Sequence, residues 1–184
     1  MIDGLNSINT SPNLEEAVGL LKKSAQKGSA QAQHYFGLIC EYGRGVPQDF
    51  ILAKSYYMKA AEQHNIESIY NLALMHMFGR PGGIAQDFRM ALALLQQAAQ
   101  RSHGPSIYYL GVMKINGHGT FVDYEEALNW FDRAASIGDY RVAEKAAKSY
   151  RELSNLIIQA KKVNDKIMQT YIDMNTDPRA EFVI

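Results

Sequence analysis

Features that mark several common protein classes are scarce in this sequence. Its single cysteine, Cys40, cannot form an intrachain disulfide or a CxxC metal or redox site, and it favours a reducing compartment. Neither sign of charge is in excess, because 19 Lys plus Arg balance 19 Asp plus Glu. A protein with zero net charge has no overall electrostatic attraction for nucleic acid phosphates or anionic lipids. We therefore expect no nucleic acid and no membrane among the partners.

Long hydrophobic runs are also missing. The apolar stretches are a few residues long, whereas a helix that crosses a bilayer needs about 20. The N-terminus contains Asp3, no positive charge and no apolar core, so we expect no secretory signal there. We therefore expect a cytoplasmic protein. The 184 residues, 47% hydrophobic and 21% charged, are ordinary for one folded domain.

A repeat with a period of about 36 residues organises the sequence. The pair Ala60-Ala61 recurs as Ala98-Ala99 and Ala134-Ala135, at intervals of 38 and 36 residues, and Ser24-Ala25 is a weaker copy 36 residues earlier. Self-similarity at such a period is typical of stacked supersecondary units. The copies predict four helices on one template, which begin near Asn13, Asp49, Asp87 and Asp123.

A second repeated pattern predicts three more helices, one before each of the helices that begin near Asp49, Asp87 and Asp123. Phe36-Gly37 recurs as Leu72-Ala73 and Leu110-Gly111, and a glycine follows six residues after each copy. Because glycine continues a helix poorly, these glycines predict turns. They are Gly43, Gly79 and Gly117. The middle turn is two residues longer and contains the insertion 80–86, so the units are helix-turn-helix pairs.

The Asn or Asp before each second helix is predicted to be an N-cap. Such a side chain accepts hydrogen bonds from first-turn N–H groups, and Asp123 with Glu126 has the spacing of a capping box, as has Asn13 with Glu16. The small residues of both templates predict close approach of neighbouring helices, beside larger residues such as Phe131. These carboxylates are therefore interpreted as caps and not as catalytic groups.

Four runs of residues resemble Sel1-like repeats, which are relatives of the tetratricopeptide repeat. They are Ala32-Gln-His-Tyr-Phe-Gly37, Gly43-Arg-Gly-Val-Pro-Gln-Asp49, Ala53-Lys-Ser-Tyr-Tyr-Met-Lys-Ala-Ala61 and Ala127-Leu-Asn-Trp-Phe-Asp-Arg-Ala-Ala135. The resemblance implies an all-α fold, a right-handed α-α solenoid with a C-terminal helical cap. It also implies a noncatalytic module that binds proteins or peptides. The paired cysteines of secreted members are missing, which favours a cytoplasmic version.

The domain boundaries follow from the repeat. We expect a poorly ordered leader, a solenoid made of one helix plus three repeats, a capping helix or helices, and a flexible tail. The leader comprises residues 1–12, and the solenoid comprises residues 13–139, with repeats at about 30–65, 66–104 and 105–139. The capping helix or helices comprise residues 140–174, and the tail comprises residues 175–184.

A candidate binding stripe lies on the first helix of each pair, which lines the concave surface in the related repeats. Positions one turn apart share a helix face and give a mostly uncharged, aromatic stripe that suits an apolar or amphipathic peptide. The alternative is that these residues pack internally. The stripe consists of His34, Tyr35, Leu38, Tyr70, Asn71, Leu74, Met77, Tyr108, Tyr109, Val112 and Ile115.

The segment from Tyr140 to Met174 contains no glycine or proline and is predicted to be helical. Its apolar residues alternate by three and four, with Asn164 in the seam, which permits a coiled coil. The favoured alternative is that one helix ends near Val163 and that Asn164 or Asp165 caps a second, so that both seal the end of the solenoid.

No residue pattern indicates catalysis, a metal or a cofactor. The five histidines lack i,i+4 pairing and clustered acids, and the two near helix ends, His64 and His103, are interpreted as helix-dipole residues. Gly117-His-Gly119 lacks the ending of a phosphate-binding loop. We therefore predict an adaptor and no enzyme, either a monomer or a weak homodimer. The alternatives are a structural protein that self-assembles through its C-terminal helix, and an enzyme without a recognisable motif.

Overall fold

The computed structural model describes residues 12–176, and within that range the regular structure is helical. The expectation of an all-α solenoid is confirmed. The leader, the tail, and the side chains of Asn13 and Met174 lie outside the described residues. The helices are α1 Pro12–Gln26, α2 Ala30–Tyr42, α3 Phe50–Glu62, α4 Ile66–Phe78, α5 Phe88–Ala99, α6 Gly104–Asn116, α7 Tyr124–Ser136 and α8 Ala143–Thr176.

Three helix-turn-helix units, α2–α3, α4–α5 and α6–α7, form the middle of the array. Each helix packs chiefly against its neighbours in sequence. The three turn glycines all have φ between 66° and 67°, which L side chains rarely adopt. The N–H of the residue that caps each second helix donates to a carbonyl of the first helix, so every turn closes in the same way.

The predicted N-caps are confirmed where the structure describes them. A carboxylate oxygen of Asp49, Asp87 or Asp123 accepts a hydrogen bond from the N–H three residues later, at 2.8–2.9 Å. The reciprocal half of the capping box at Glu126 does not form. Its carboxylate binds the Lys114 ammonium at 2.6 Å and the Trp130 indole N–H at 3.1 Å instead.

One row of positions on the second helices of the three units is almost completely buried. Phe131 is 1% exposed, and Tyr57 and Leu95 are 0% exposed. A Cβ atom on Gly37 would lie 2.6 Å from the Tyr57 ring, and one on Gly111 would lie 2.7 Å from the Phe131 ring. These glycines are therefore required by the close approach of the two helices of a unit.

The last helix, α8, differs from the favoured expectation. It runs unbroken for 34 residues through Asn164 and Asp165, so the predicted break near Val163 is wrong. Val142, Ala146 and Leu153 join the core beside α6 and α7, whereas the side chains of residues 158–172 are exposed. Leu153 occupies the position equivalent to Gly117, and without a glycine there the helix continues away from the array.

Candidate binding face

The first helices lie side by side in one row. His34 Nδ1 on α2 is 3.0 Å from Ser68 Oγ on α4, and the Tyr70 and Tyr109 rings join α4 to α6 with their centroids 6.1 Å apart. The Lys145 ammonium of α8 lies 4.7 Å from the centroid of the Tyr108 ring on α6. The row α2, α4, α6 and α8 therefore presents one continuous surface.

Eight of the eleven predicted stripe residues are accessible on this row, and we call them the first-helix face. Tyr35 is 48% exposed, and the other seven are half-buried. They combine apolar side chains with tyrosine hydroxyls and one amide, which are groups that can form hydrogen bonds. The first-helix face consists of Tyr35, Leu38, Tyr70, Asn71, Leu74, Tyr109, Val112 and Ile115.

The other three stripe residues are buried, so the expectation of accessible side chains is wrong for them. His34 is 7% exposed because its ring packs toward Tyr57 and its Nδ1 meets Ser68. Tyr108 is 6% exposed because its ring packs against Phe131, with centroids 5.4 Å apart. Met77 is 4% exposed within the core cluster of α4 to α7. Their roles are in packing between helices.

A partly buried ion pair joins α2 to the loop that follows α4. The Glu41 carboxylate is 3.1 Å from the Arg80 guanidinium and accepts a 2.8 Å hydrogen bond from the Tyr57 hydroxyl. Burial, followed by the Glu41 charge, raises the pKa of Tyr57, which keeps its hydroxyl a donor. Arg80 belongs to the longer loop between α4 and α5, so this loop supplies the cation that pairs with Glu41.

A polar cluster joins α4, α6 and the start of α8. Arg141 binds Asp139 at 2.8 Å and Glu67 at 2.9 Å, and the hydrogen bonds to Asp139 raise the pKa of Arg141. Hydrogen bonds from Arg141 lower the pKa of Asp139. Burial raises the pKa of Tyr70, whose ring lies 5.0 Å from that of His103. The charges at this end of the first-helix face are therefore paired.

His103 has a role that the sequence analysis missed. Its Nδ1 accepts from the Ser106 N–H at 3.3 Å, which makes it the N-cap of α6. Its Nε2 lies 3.5 Å from a Glu67 oxygen, which is long for a hydrogen bond. Burial lowers the pKa of His103 more than Glu67 raises it. In place of the predicted helix-dipole role, His103 is a neutral N-cap, because an Nδ1 that accepts a hydrogen bond must be unprotonated. The sequence signal that could have identified this N-cap is the alignment of His103 with Ser29 and Asn65, which cap α2 and α4.

Neither Cys40 nor His118 is placed for nucleophilic or metal chemistry. Cys40 is 0% exposed, and burial raises the pKa of its thiol to about 11, so little thiolate exists at neutral pH. His118, from the glycine-flanked turn, stacks on Phe88 with ring centroids 4.0 Å apart. Among residues 12–176, no group of three or more His, Cys, Asp and Glu is placed to hold a metal ion.

Two apolar grooves lie at the ends of the array. One of about 520 Å³ is formed by the end of α6, the start of α7 and α8. The other, of about 410 Å³, lies between α1 and α2 and includes Tyr35 and Leu38 of the first-helix face. None of the described helices is both long and apolar enough to span a bilayer.

Comparison with known proteins identifies the repeats. A profile of the Sel1 repeat matches residues 4–29, 30–65, 66–103 and 104–139. The chitin synthase regulator SKT5 of Malassezia restricta is 33% identical over 132 residues, which cover 71% of this chain and 9% of that protein. The chain spans about a tenth of the length of the curated relatives that it matches.

Solved structures with the same fold are also similar in sequence. A Sel1 repeat protein from Oxalobacter formigenes superposes with a TM-score of 0.67 at 26% identity, over 74% of this chain and 55% of that one. The protective antigen c5321 of uropathogenic Escherichia coli superposes with a TM-score of 0.62 at 33% identity, over 66% of this chain and 26% of that one.

Proposed function

This chain belongs to the Sel1 repeat family, whose members generally mediate protein–protein interactions, and we propose that it is a noncatalytic adaptor. In this proposal the first-helix face binds a peptide or a helix of a partner protein. The observation that carries it is the contact of the Tyr70 and Tyr109 rings, which lie 6.1 Å apart and are both only half-buried on neighbouring helices. Aromatic residues in such positions are typical anchors of binding surfaces.

The charges around the first-helix face favour an apolar or amphipathic partner segment. Glu41 is paired with Arg80 and Glu67 with Arg141, so neither acid is left to select a basic peptide. A clamp for a partner's terminal carboxylate would need clustered cations, but Lys114 is bound to Glu126. Specificity then comes from shape and from hydrogen bonds to Asn71 and the tyrosine hydroxyls.

The preformed row of helices supports equilibrium binding without catalysis. Helices that already pack against one another lose little conformational freedom when a partner binds, which reduces the ordering cost on this side of the interface. Sel1 repeat solenoids are typically noncatalytic scaffolds. The buried Cys40 offers no accessible nucleophile for the alternative of an enzyme.

The test compares proteins recovered with three matched forms of the chain. The first is the wild type, the second carries Tyr70→Ala and Tyr109→Ala, and the third carries Met58→Ala and Met90→Ala on second helices. Met58 and Met90 are each 47% exposed, so the third form controls for loss of apolar surface. Circular dichroism must show that all three forms are folded before binding is compared.

The proposal predicts a partner that binds the wild type and the methionine variant but not the tyrosine variant. Its affinity, measured by calorimetry with the purified partner, should fall at least tenfold, which is about 1.4 kcal/mol. Equal binding by all three forms would place the partner elsewhere and would contradict the assignment of the first-helix face.

A second candidate function is self-assembly through the exposed half of α8. Leu156, Val163 and Ile167 are 60–62% exposed and recur along one side of that helix, as in a coiled-coil seam. Light scattering that shows a monomer at high concentration would exclude it. A Val163→Glu, Ile167→Glu variant that remains associated would exclude it as well.

A further inference from the structure

The two ends of the repeat array carry complementary halves of a unit. By its repeat register α1 is a second helix, and no first helix precedes it among residues 12–176. By the same register α8 is a first helix, with Ala146-Ala147 at the positions of Leu110-Gly111, and no second helix follows it within the described range. Within residues 12–176, each end of the array therefore shows the half of a unit that the other end does not.

In α1, positions that are buried in the complete units are exposed or half-buried. Along the second helices of those units, the equivalents of Ala17, Leu21 and Ser24 are 0–1% exposed. In α1 itself Ala17 is exposed, Leu21 and Ser24 are half-buried, and the neighbouring Leu20 is 61% exposed. The equivalents are Ala53, Tyr57, Ala60, Ala91, Leu95, Ala98, Ala127, Phe131 and Ala134. This face of α1 has the pattern that packs against a first helix.

The α8 half is bare at the positions that receive a second helix. Ala147 is the equivalent of Gly37, Ala73 and Gly111, all of which are buried, but it is only half-buried itself. Tyr150, one turn further on, is 37% exposed. This face of α8 therefore offers a small residue in the place where the complete units accept a large one.

In the complete units, the size of a residue on the first helix depends on the residue that faces it on the second helix. The residues on the exposed faces of α1 and α8 fit the same relation. Where the second helix presents an aromatic ring, the facing residue is glycine, because a Cβ would lie 2.6–2.7 Å from Tyr57 or Phe131. Where the facing residue is Ala73, the second helix presents Leu95 from the same buried cluster. Ala147 on α8 and Leu21 on α1 are again alanine and leucine. The pair would fit as Ala73 and Leu95 do.

We propose that copies of this chain associate head to tail, with α1 of one copy packed on α8 of the next in the position of a second helix. Helices of a unit run antiparallel, so the N-terminus of α1 would lie beside Leu153. The second half of α8 then passes beyond it. The contact joins two different surfaces, so it is heterologous and extends into a chain of copies.

The test uses two variants that each block one end. Ala17→Arg places a long cation on the bare face of α1, Ala147→Arg does the same on α8, and Ala93→Arg on the exposed side of α5 is the matched control. Sedimentation velocity over a wide concentration range should show association of the wild type and of the control. Each end variant alone should associate at least tenfold more weakly.

A mixture of the two end variants gives the decisive result. Each variant retains one intact end, so the proposal predicts a one-to-one dimer that grows no further. A wild type that stays monomeric at every concentration would overturn the proposal, as would an Ala17→Arg variant that associates like the wild type. If circular dichroism shows that either variant is unfolded, Leu20→Lys and Tyr150→Lys on the same two faces replace the pair. Failure of these tests leaves partner binding at the first-helix face untouched.

Discussion

The complete units in the middle of the array and the helices at its two ends follow the same sequence template with different results. In the middle, the second-helix positions equivalent to Ala17, Leu21 and Ser24 face a first helix and are 0–1% exposed. At the ends, the equivalent Ala17 is exposed and Ala147 is half-buried, although the residue types are nearly unchanged. In a repeat protein burial is therefore set by the presence of a neighbour as much as by the residue itself.

The strongest test of this comparison removes a large side chain from the middle and from a turn. Phe131→Ala should lower the free energy of unfolding by about 3–5 kcal/mol, because the side chain is 1% exposed and a cavity would remain. Phe121→Ala should change it by less than about 0.5 kcal/mol, because that side chain is 90% exposed. Urea unfolding measures both values. Similar losses for the two variants would contradict the burial pattern.

A double-mutant cycle sharpens the size rule for the two helices of a unit. Gly111→Ala should cost about 1–3 kcal/mol, because its Cβ would lie 2.7 Å from the Phe131 ring. In a Phe131→Leu background the same change should stabilise the protein by up to about 1 kcal/mol, because alanine is the better helix former. Additive effects in urea unfolding would show that the two residues are not coupled, against the rule.

A smaller loss of stability is expected when the pH is lowered, and it arises from three histidines of the middle units. Burial lowers the folded-state pKa of His34, His76 and His103, so the unfolded chain binds protons more readily. The contribution of these neutral imidazoles to stability is present above their unfolded pKa, about 6.5, and is lost as the pH falls through and below that value. Urea unfolding at pH 7.5 and 5.5 should show the loss. His103→Asn, which copies the cap Asn65, should reduce it, and an unchanged pH dependence would contradict the assignment.

The smallest effect on unfolding is expected from a break in the exposed half of α8. Ala160→Pro should lower the helical circular dichroism signal, because proline interrupts a helix. It should leave the free energy of unfolding of the repeats unchanged within about 0.5 kcal/mol, because residues 158–172 are exposed. A large drop in that free energy, measured by urea unfolding, would show that this half of α8 supports the core.

The repeat units could be predicted from the sequence because each depends on local signals. The glycines with positive φ and the capping aspartates act within a few residues of their own positions, and three aligned copies strengthen each signal. The continuation of α8 was missed because an asparagine or aspartate in an exposed helix costs at most about 0.7 kcal/mol, too little to end it.

Part of the candidate site could not be predicted, because helical spacing does not show which neighbour covers a face. The spacing places His34 and Tyr108 on the same stripe as Tyr70, but Ser68 and Phe131 from other helices contact them. The Glu41–Arg80 ion pair also joins residues of different units. Contacts of this kind depend on how the units stack, which a repeat alignment does not contain.

Hydrogen exchange measured at low and at high protein concentration tests most directly whether the ends are half-units that complete each other. The account predicts slower exchange at high concentration in residues 14–26 and 143–153, with residues 154–172 and the middle units unchanged. Slowing confined to residues 154–172 would instead indicate pairing through the exposed half of α8. That result, or the absence of any change in α1, would contradict the account.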